Sequence, residues 1–176
     1  MIITVEKARE LVNLDGWTDA KIELKLKSIE HTIRSYTNNN FQDRDCRIIA
    51  DIVEGVFCIE ALNPFSKGDT IEVTEASLNK GLYTVRLVND YTFTVDGTVV
   101  EEKNVLVTKV HYPENVIECA LNLLEWEVRN RNKVGIQSET LSRHSVTYFN
   151  MDGDNSVMGY PKSLLNVLKA YRKVRC

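Results

Sequence analysis

What this chain has little of narrows its chemistry. Its 176 residues hold three prolines, three histidines and four cysteines. The cysteines, at 46, 58, 119 and 176, are widely spaced and form no C-x-x-C pair, so free thiols are expected rather than a disulfide frame or a structural zinc site. No apolar run approaches the roughly 20 residues that span a bilayer. The first residues, MIITVEKARE, lack a basic stretch followed by an apolar one, which predicts no secretory signal and synthesis in the cytosol. There is no phosphate-binding glycine loop, no G-x-S-x-G elbow and no H-E-x-x-H. The histidines His31, His111 and His144 are each isolated in sequence, and nothing near them supplies a nucleophile and an orienting acid.

Acidic groups are present but are not arranged to bind metal. Asp152-Gly153-Asp154-Asn155 opens like a calcium loop, yet an EF-hand needs glycine at 157 and glutamate at 163, where this chain has Val157 and Ser163. Asp43, Asp45 and Asp51 do not share one side of a strand. A small hydrolase or nuclease is therefore not supported, and no catalytic, cofactor-binding or metal-binding residue is expected. Net charge is −3. Residues 43–112 carry seven Lys and Arg against twelve Asp and Glu, and the rest carries fifteen against thirteen. An acidic middle is a poor phosphate binder. The basic cluster is at the end: Lys169, Arg172, Lys173 and Arg175, interleaved with Tyr171 and Val174. It reads either as favourable charge at a helix C-terminus or as a docking tail.

What is present is periodicity. Ile22, Leu26, Ile29, Ile33 and Tyr36 recur at steps of four and three, which places them on one face of a helix over 18–36. Thr18 is suited to cap it, and Trp17 and Ile22 occupy the staple positions. Thr4 caps a short helix over 5–13. Pro113 opens a second long helix to 131, with a stripe of Ile117, Ala120, Leu121, Leu124 and Val128 widened by Val116 and Leu123. Pro161 opens a last helix through Leu164, Leu165, Val167 and Leu168. Between the long helices the period changes to two. Short strands are expected at 46–53, 56–61, 70–73, 82–88, 91–95 and 105–110, with Asn89-Asp90 as a tight hairpin loop. Residues 136–149 read as extended, and 150–159 as a polar loop.

The fold expected from this pattern is α+β. Residues 1–42 and 112–176 form a small helical-bundle core of two long antiparallel helices plus short terminal helices. Residues 43–111 form an inserted all-β domain, a small barrel or sandwich whose order F-x-x-G-D-x-I-x-V followed by a hairpin is similar to SH3-like barrels. Leu123 and Trp126 lie off the main stripe of their helix, which marks them either as a wide core face or as a subunit interface. Read as a binding module, the β domain would recognise a peptide or nucleic acid through Tyr83, Tyr91 and Phe93, which alternation instead places in its core.

The two ends together carry a resemblance. E-K-A-R-E-L-V-N-L and D-A-K-I-E-L-K-L-K-S-I-E-H-T-I-R-S-Y near the start are matched by G-I-Q-S-E-T-L-S-R-H-S-V-T-Y from 135 to 148 and by G-Y-P-K-S-L-L-N-V-L-K-A-Y-R-K-V-R. Over about 4–42 and 113–175 the chain resembles the head–tail connector (adaptor) proteins of tailed bacteriophages and prophages, also labelled DNA-packaging proteins. The resemblance implies a structural, non-enzymatic virion protein that forms a ring homo-oligomer, usually a dodecamer, under the portal at the head–tail junction. It implies binding to the portal protein and to a stopper or tail-completion protein. DNA would pass through the channel without sequence-specific binding, and no membrane is involved. The portal-docking segment would be Tyr171, Arg172, Lys173, Val174 and Arg175. The block at 43–111 replaces a brief connection in the short form of the family, so the resemblance says nothing direct about it.

Overall fold

A computed structural model describes residues 1–130, 138–141, 144–147 and 155–174, the two short stretches 138–141 and 144–147 by backbone alone. The chain divides into two compact units, one of Met1 with 40–112 and the other of 2–39 with 113–176.

The first unit is a closed antiparallel barrel. Its strands are β1 (Gln42–Val53), β2 (Val56–Cys58), β3 (Thr70–Thr74), β4 (Gly81–Val88), β5 (Thr92–Val95) and β6 (Glu102–Val110), in the spatial order β1-β2-β5-β4-β3-β6, with β6 returning to β1. Closure removes the unpaired sheet edges that an open β block would expose. Alternate residues point inward, so Ala50, Ile52, Phe57, Ile71, Val73, Val85, Phe93, Val105 and Val107 are all buried in one cluster. Phe93 is its centre, stacked on Phe57 at 4.7 Å and edge-on to Phe65 at 5.2 Å. Entry and exit lie side by side: Gln42 pairs with Val110, the His111 N–H donates to the Phe41 carbonyl at 2.9 Å, and the Phe41 and Tyr112 rings are 5.0 Å apart.

The second unit holds α1 (Val5–Leu11), α2 (Asp19–Thr37), α3 (Glu114–Asn130), the hairpin β7 (Ser138–Leu141) and β8 (His144–Thr147), the short pair β9 (Ser156–Val157) and β10 (Tyr160–Pro161), and α4 (Lys162–Leu165) running into a 3-10 turn over Asn166–Tyr171. Thr18 caps α2 by accepting from the Lys21 N–H, and Asn38 ends it in the left-handed region at φ 48°. Ile22, Leu26, Ile29 and Ile33 are fully buried. Met158 and Gly159, both at positive φ, turn the β9–β10 pair as a primed turn requires.

Several expectations are corrected. The fold is not a helical bundle of two long antiparallel helices with a β decoration. A closed six-stranded barrel with a core of its own dominates the β content, and the helices of the described residues span only 7, 19, 17 and 4 residues. After Leu165 the inward residues fall at intervals of three, with Leu165 and Leu168 buried and Tyr171 half-buried, which suits a 3-10 turn. The buried face of α3 is rotated from the expected stripe: Val116, Cys119, Ala120, Leu123, Leu124 and Glu127 are inside, while Ile117, Leu121 and Val128 are half-buried. In β4 a register shift between Val85 and Leu87 sends Leu87 outward although Val85 points in, because one extra residue reverses every later side chain. Tyr91 belongs to the turn and not to β5: the Asn89 N–H donates to the Thr92 carbonyl at 2.8 Å, and Tyr91 is exposed.

Candidate functional site

The C-terminal segment is built onto the end of α2 by main-chain bonds. The Lys173 N–H donates to the Thr37 carbonyl at 2.8 Å. The Asn38 side-chain amide donates to the carbonyls of Lys173 at 3.5 Å and Val174 at 3.3 Å, and that of Asn39 donates to the Tyr171 carbonyl at 3.2 Å. Upstream, the Tyr171 hydroxyl donates to Asn115 Oδ1 at 2.7 Å. The bonds from α2 engage the backbone of residues 171–174. Arg172, Lys173 and Val174 are exposed, Val174 at 86%. Arg172 lies over the Tyr36 ring, 5.3 Å from its centroid, a cation–π contact. The cations also sit beside the C-terminal end of α2, whose carbonyls carry partial negative charge.

Of the expected docking segment, the structure therefore brings Tyr171, Arg172, Lys173 and Val174 together on one surface, and Arg175 lies outside the described residues. Leu123 and Trp126 do not form a joint surface. Leu123 is completely buried within the α3 face, so its side chain offers nothing to a neighbour. Trp126 is half-buried and packs edge-on against Tyr160 at 5.4 Å.

The aromatic groove considered for the barrel is absent as a unit. Phe93 is inside, Tyr83 is half-buried with its hydroxyl on the Asn79 carbonyl at 3.1 Å, and Tyr91 is at a hairpin tip. Burial and the nearby carboxylates of Asp96 and Glu102 raise the Tyr83 phenol above its ordinary value. Glu102 itself receives the Leu78 and Asn79 N–H groups, the Asn79 side-chain amide and the Ser77 N–H. The Ser77 bond leads the set that holds its carboxyl below the usual range.

Three cysteines, Cys46, Cys58 and Cys119, are free thiols. Burial pushes Cys119 up to about 11, so it is protonated and unreactive at neutral pH. Among the described residues no group of three His, Cys, Asp or Glu side chains comes together to hold a metal ion. His31 and Ser35 approach to 3.5 Å on an exposed face of α2, a separation at the limit of a hydrogen bond. The calcium-like run 152–154 is outside the described residues. Among those residues no helix is long and apolar enough to cross a membrane.

Sequence reasoning missed one polar feature. Glu127 is buried on α3, paired with Lys25 Nζ of α2 at 3.1 Å and receiving the Tyr160 hydroxyl at 2.7 Å. Lys25 is three residues from Ile22 and four from Ile29, so its place on the apolar face of α2 was legible from spacing. No protein-family model matches the chain, and a search of curated proteins finds no match.

Proposed function

We propose that this chain is a structural subunit of a tailed-phage virion, a ring-forming adaptor at the head–tail junction that docks on the portal through its C-terminal segment. The observation that carries the reading is the held tail. Residues 171–174 are fixed through their backbone at the end of α2, and Arg172, Lys173 and Val174 stand outward. A segment fixed in this way loses little further freedom when a partner takes its side chains. The terminal sequence patterns at 4–42 and 113–175 support the same reading through their resemblance to head–tail connectors.

The barrel is the part that distinguishes this chain. It has its own core, and its two ends meet at the Gln42–Val110 pair. The barrel contacts the capsid, a neighbouring subunit or a tail component, while the helical unit makes the ring.

Negative-stain images of the purified chain, alone and with the portal of the same virion, test this. Closed rings are expected, and removal of 171–176 is expected to leave the rings but abolish their attachment to the portal. A chain that stays monomeric in both conditions overturns the proposal.

A further inference from the structure

We infer that the groove beside the C-terminal segment receives an acidic, extended protein segment, and that the Asn38–Asn39 clasp sets the tail for it. This rests on the reading of that segment as the docking element and names the chemistry of its partner. The groove has a volume of about 550 Å³, with Tyr36 and Asn38 on one side and Lys169, Arg172, Lys173 and Val174 on the other. Three cations therefore line one small depression of a chain whose net charge is −3, and no acidic side chain lines it. Among the described residues no carboxylate pairs with any of the three; Arg172 meets the Tyr36 ring instead.

Two features favour a protein segment over nucleic acid. Three cations neutralise few phosphates, whereas affinity for a duplex grows with the number neutralised. Val174, 86% exposed at the rim, offers an apolar contact that a phosphate backbone does not use. An acidic segment with one apolar residue satisfies both the charge and the valine.

The clasp gives the site its geometry. Asn38 and Asn39 hold main-chain carbonyls of the tail, so these bonds fix its path through the backbone. Asn38 also ends α2 in the left-handed region, a position that glycine fills without cost. Asn38→Gly therefore removes both side-chain bonds to the tail and keeps the helix end.

The test uses the full chain and a fluorescein-labelled Glu/Asp peptide carrying one leucine, followed by anisotropy at about 50 mM and about 200 mM salt. A Gln/Asn counterpart and a short DNA duplex serve as the other probes. The acidic peptide is expected to bind, the neutral one not, and the duplex more weakly than the peptide. The double reversal R172E/K173E, on exposed residues, is expected to lose roughly tenfold or more in affinity. Asn38→Gly is expected to lose severalfold with its salt dependence unchanged. Tighter binding of the duplex overturns the inference in favour of nucleic acid, and peptide binding indifferent to R172E/K173E overturns the site. Peptide binding indifferent to Asn38→Gly overturns the clasp. Rings without peptide binding refute this inference alone, and peptide binding by a monomer refutes the ring alone.

Discussion

Replacing Lys25 by methionine keeps most of the stem and removes the cation from the buried Glu127. At 3.1 Å and an effective dielectric near 20, the attraction lost is about 5 kcal/mol. Much of that was offset by desolvation in the native protein, and Lys25 keeps 29% of its side chain in water while Glu127 keeps none. Removing one partner of a buried pair costs about 3–5 kcal/mol, and the partial exposure of Lys25 places the loss toward the lower end. A second limit comes from protonation. The Glu127 carboxyl, which keeps the Tyr160 hydroxyl, can take up a proton, at a cost of about 4 kcal/mol at pH 7 for a glutamate of ordinary affinity. That cost falls to about 1 kcal/mol at pH 5. Lys25→Met is therefore expected to destabilise the helical unit by about 3 kcal/mol at neutral pH and by about 1 kcal/mol at pH 5. Urea unfolding followed by helical circular dichroism reads both values, with the midpoint moving and the slope unchanged. The double variant Lys25→Met with Glu127→Leu is expected to recover much of the loss, since a packed apolar pair can replace a buried ionic one. A cost of under about 0.5 kcal/mol at pH 7, the range of an exposed pair, would refute the burial and pairing described for Glu127.

Other outcomes follow from the two units. Replacing 43–111 by a short glycine-serine linker is expected to leave the helical signal of the remainder intact, because the retained ends lie close, with the Phe41 and Tyr112 rings 5.0 Å apart; loss of all helical signal contradicts a separate barrel. Phe93→Ala opens the centre of the barrel and is expected to cost about 3–5 kcal/mol, read by denaturant unfolding of the β signal. Because the Glu102 carboxyl is held below its ordinary value, its contribution is complete above the unfolded-state range near 4.5 and is lost as pH falls through the depressed native value. Acid titration of barrel stability is expected to show this loss, and Glu102→Gln to flatten it; an unchanged acid profile in that variant contradicts the assigned role.

The parts of the fold that were legible were those written in periodicity. The Thr18 cap and the stripe Ile22, Leu26, Ile29, Ile33 are local features, and local rules suffice for them. A small barrel or sandwich was read from the run of short strands, but which strands close it was not legible, because the pairing of β6 back to β1 joins residues far apart in sequence. Strict alternation through the strand read at 82–88 fails at Leu87 because of a single extra residue in β4, and Tyr91 was misplaced by a turn one residue longer than the hairpin read from Asn89-Asp90. The face of α3 was misjudged because Glu127 was not counted in its stripe; Lys25 of α2 and the Tyr160 hydroxyl both hold its buried carboxyl. The clasp at the tail had almost no sequence signature, since the Asn38 and Asn39 amides hold main-chain carbonyls, which every residue of the tail carries. Asn38 and Asn39 follow directly on the helix read over 18–36, and nothing in their local sequence marks them as partners of the tail.

The location of the chain in a particle decides the proposed role. Purified virions are examined by quantitative mass spectrometry together with gold labelling of this chain at the neck. One ring's worth of copies per particle, in fixed ratio to the portal and confined to the head–tail junction, is the expected result. Complete, infectious particles that contain none of it would contradict the role outright.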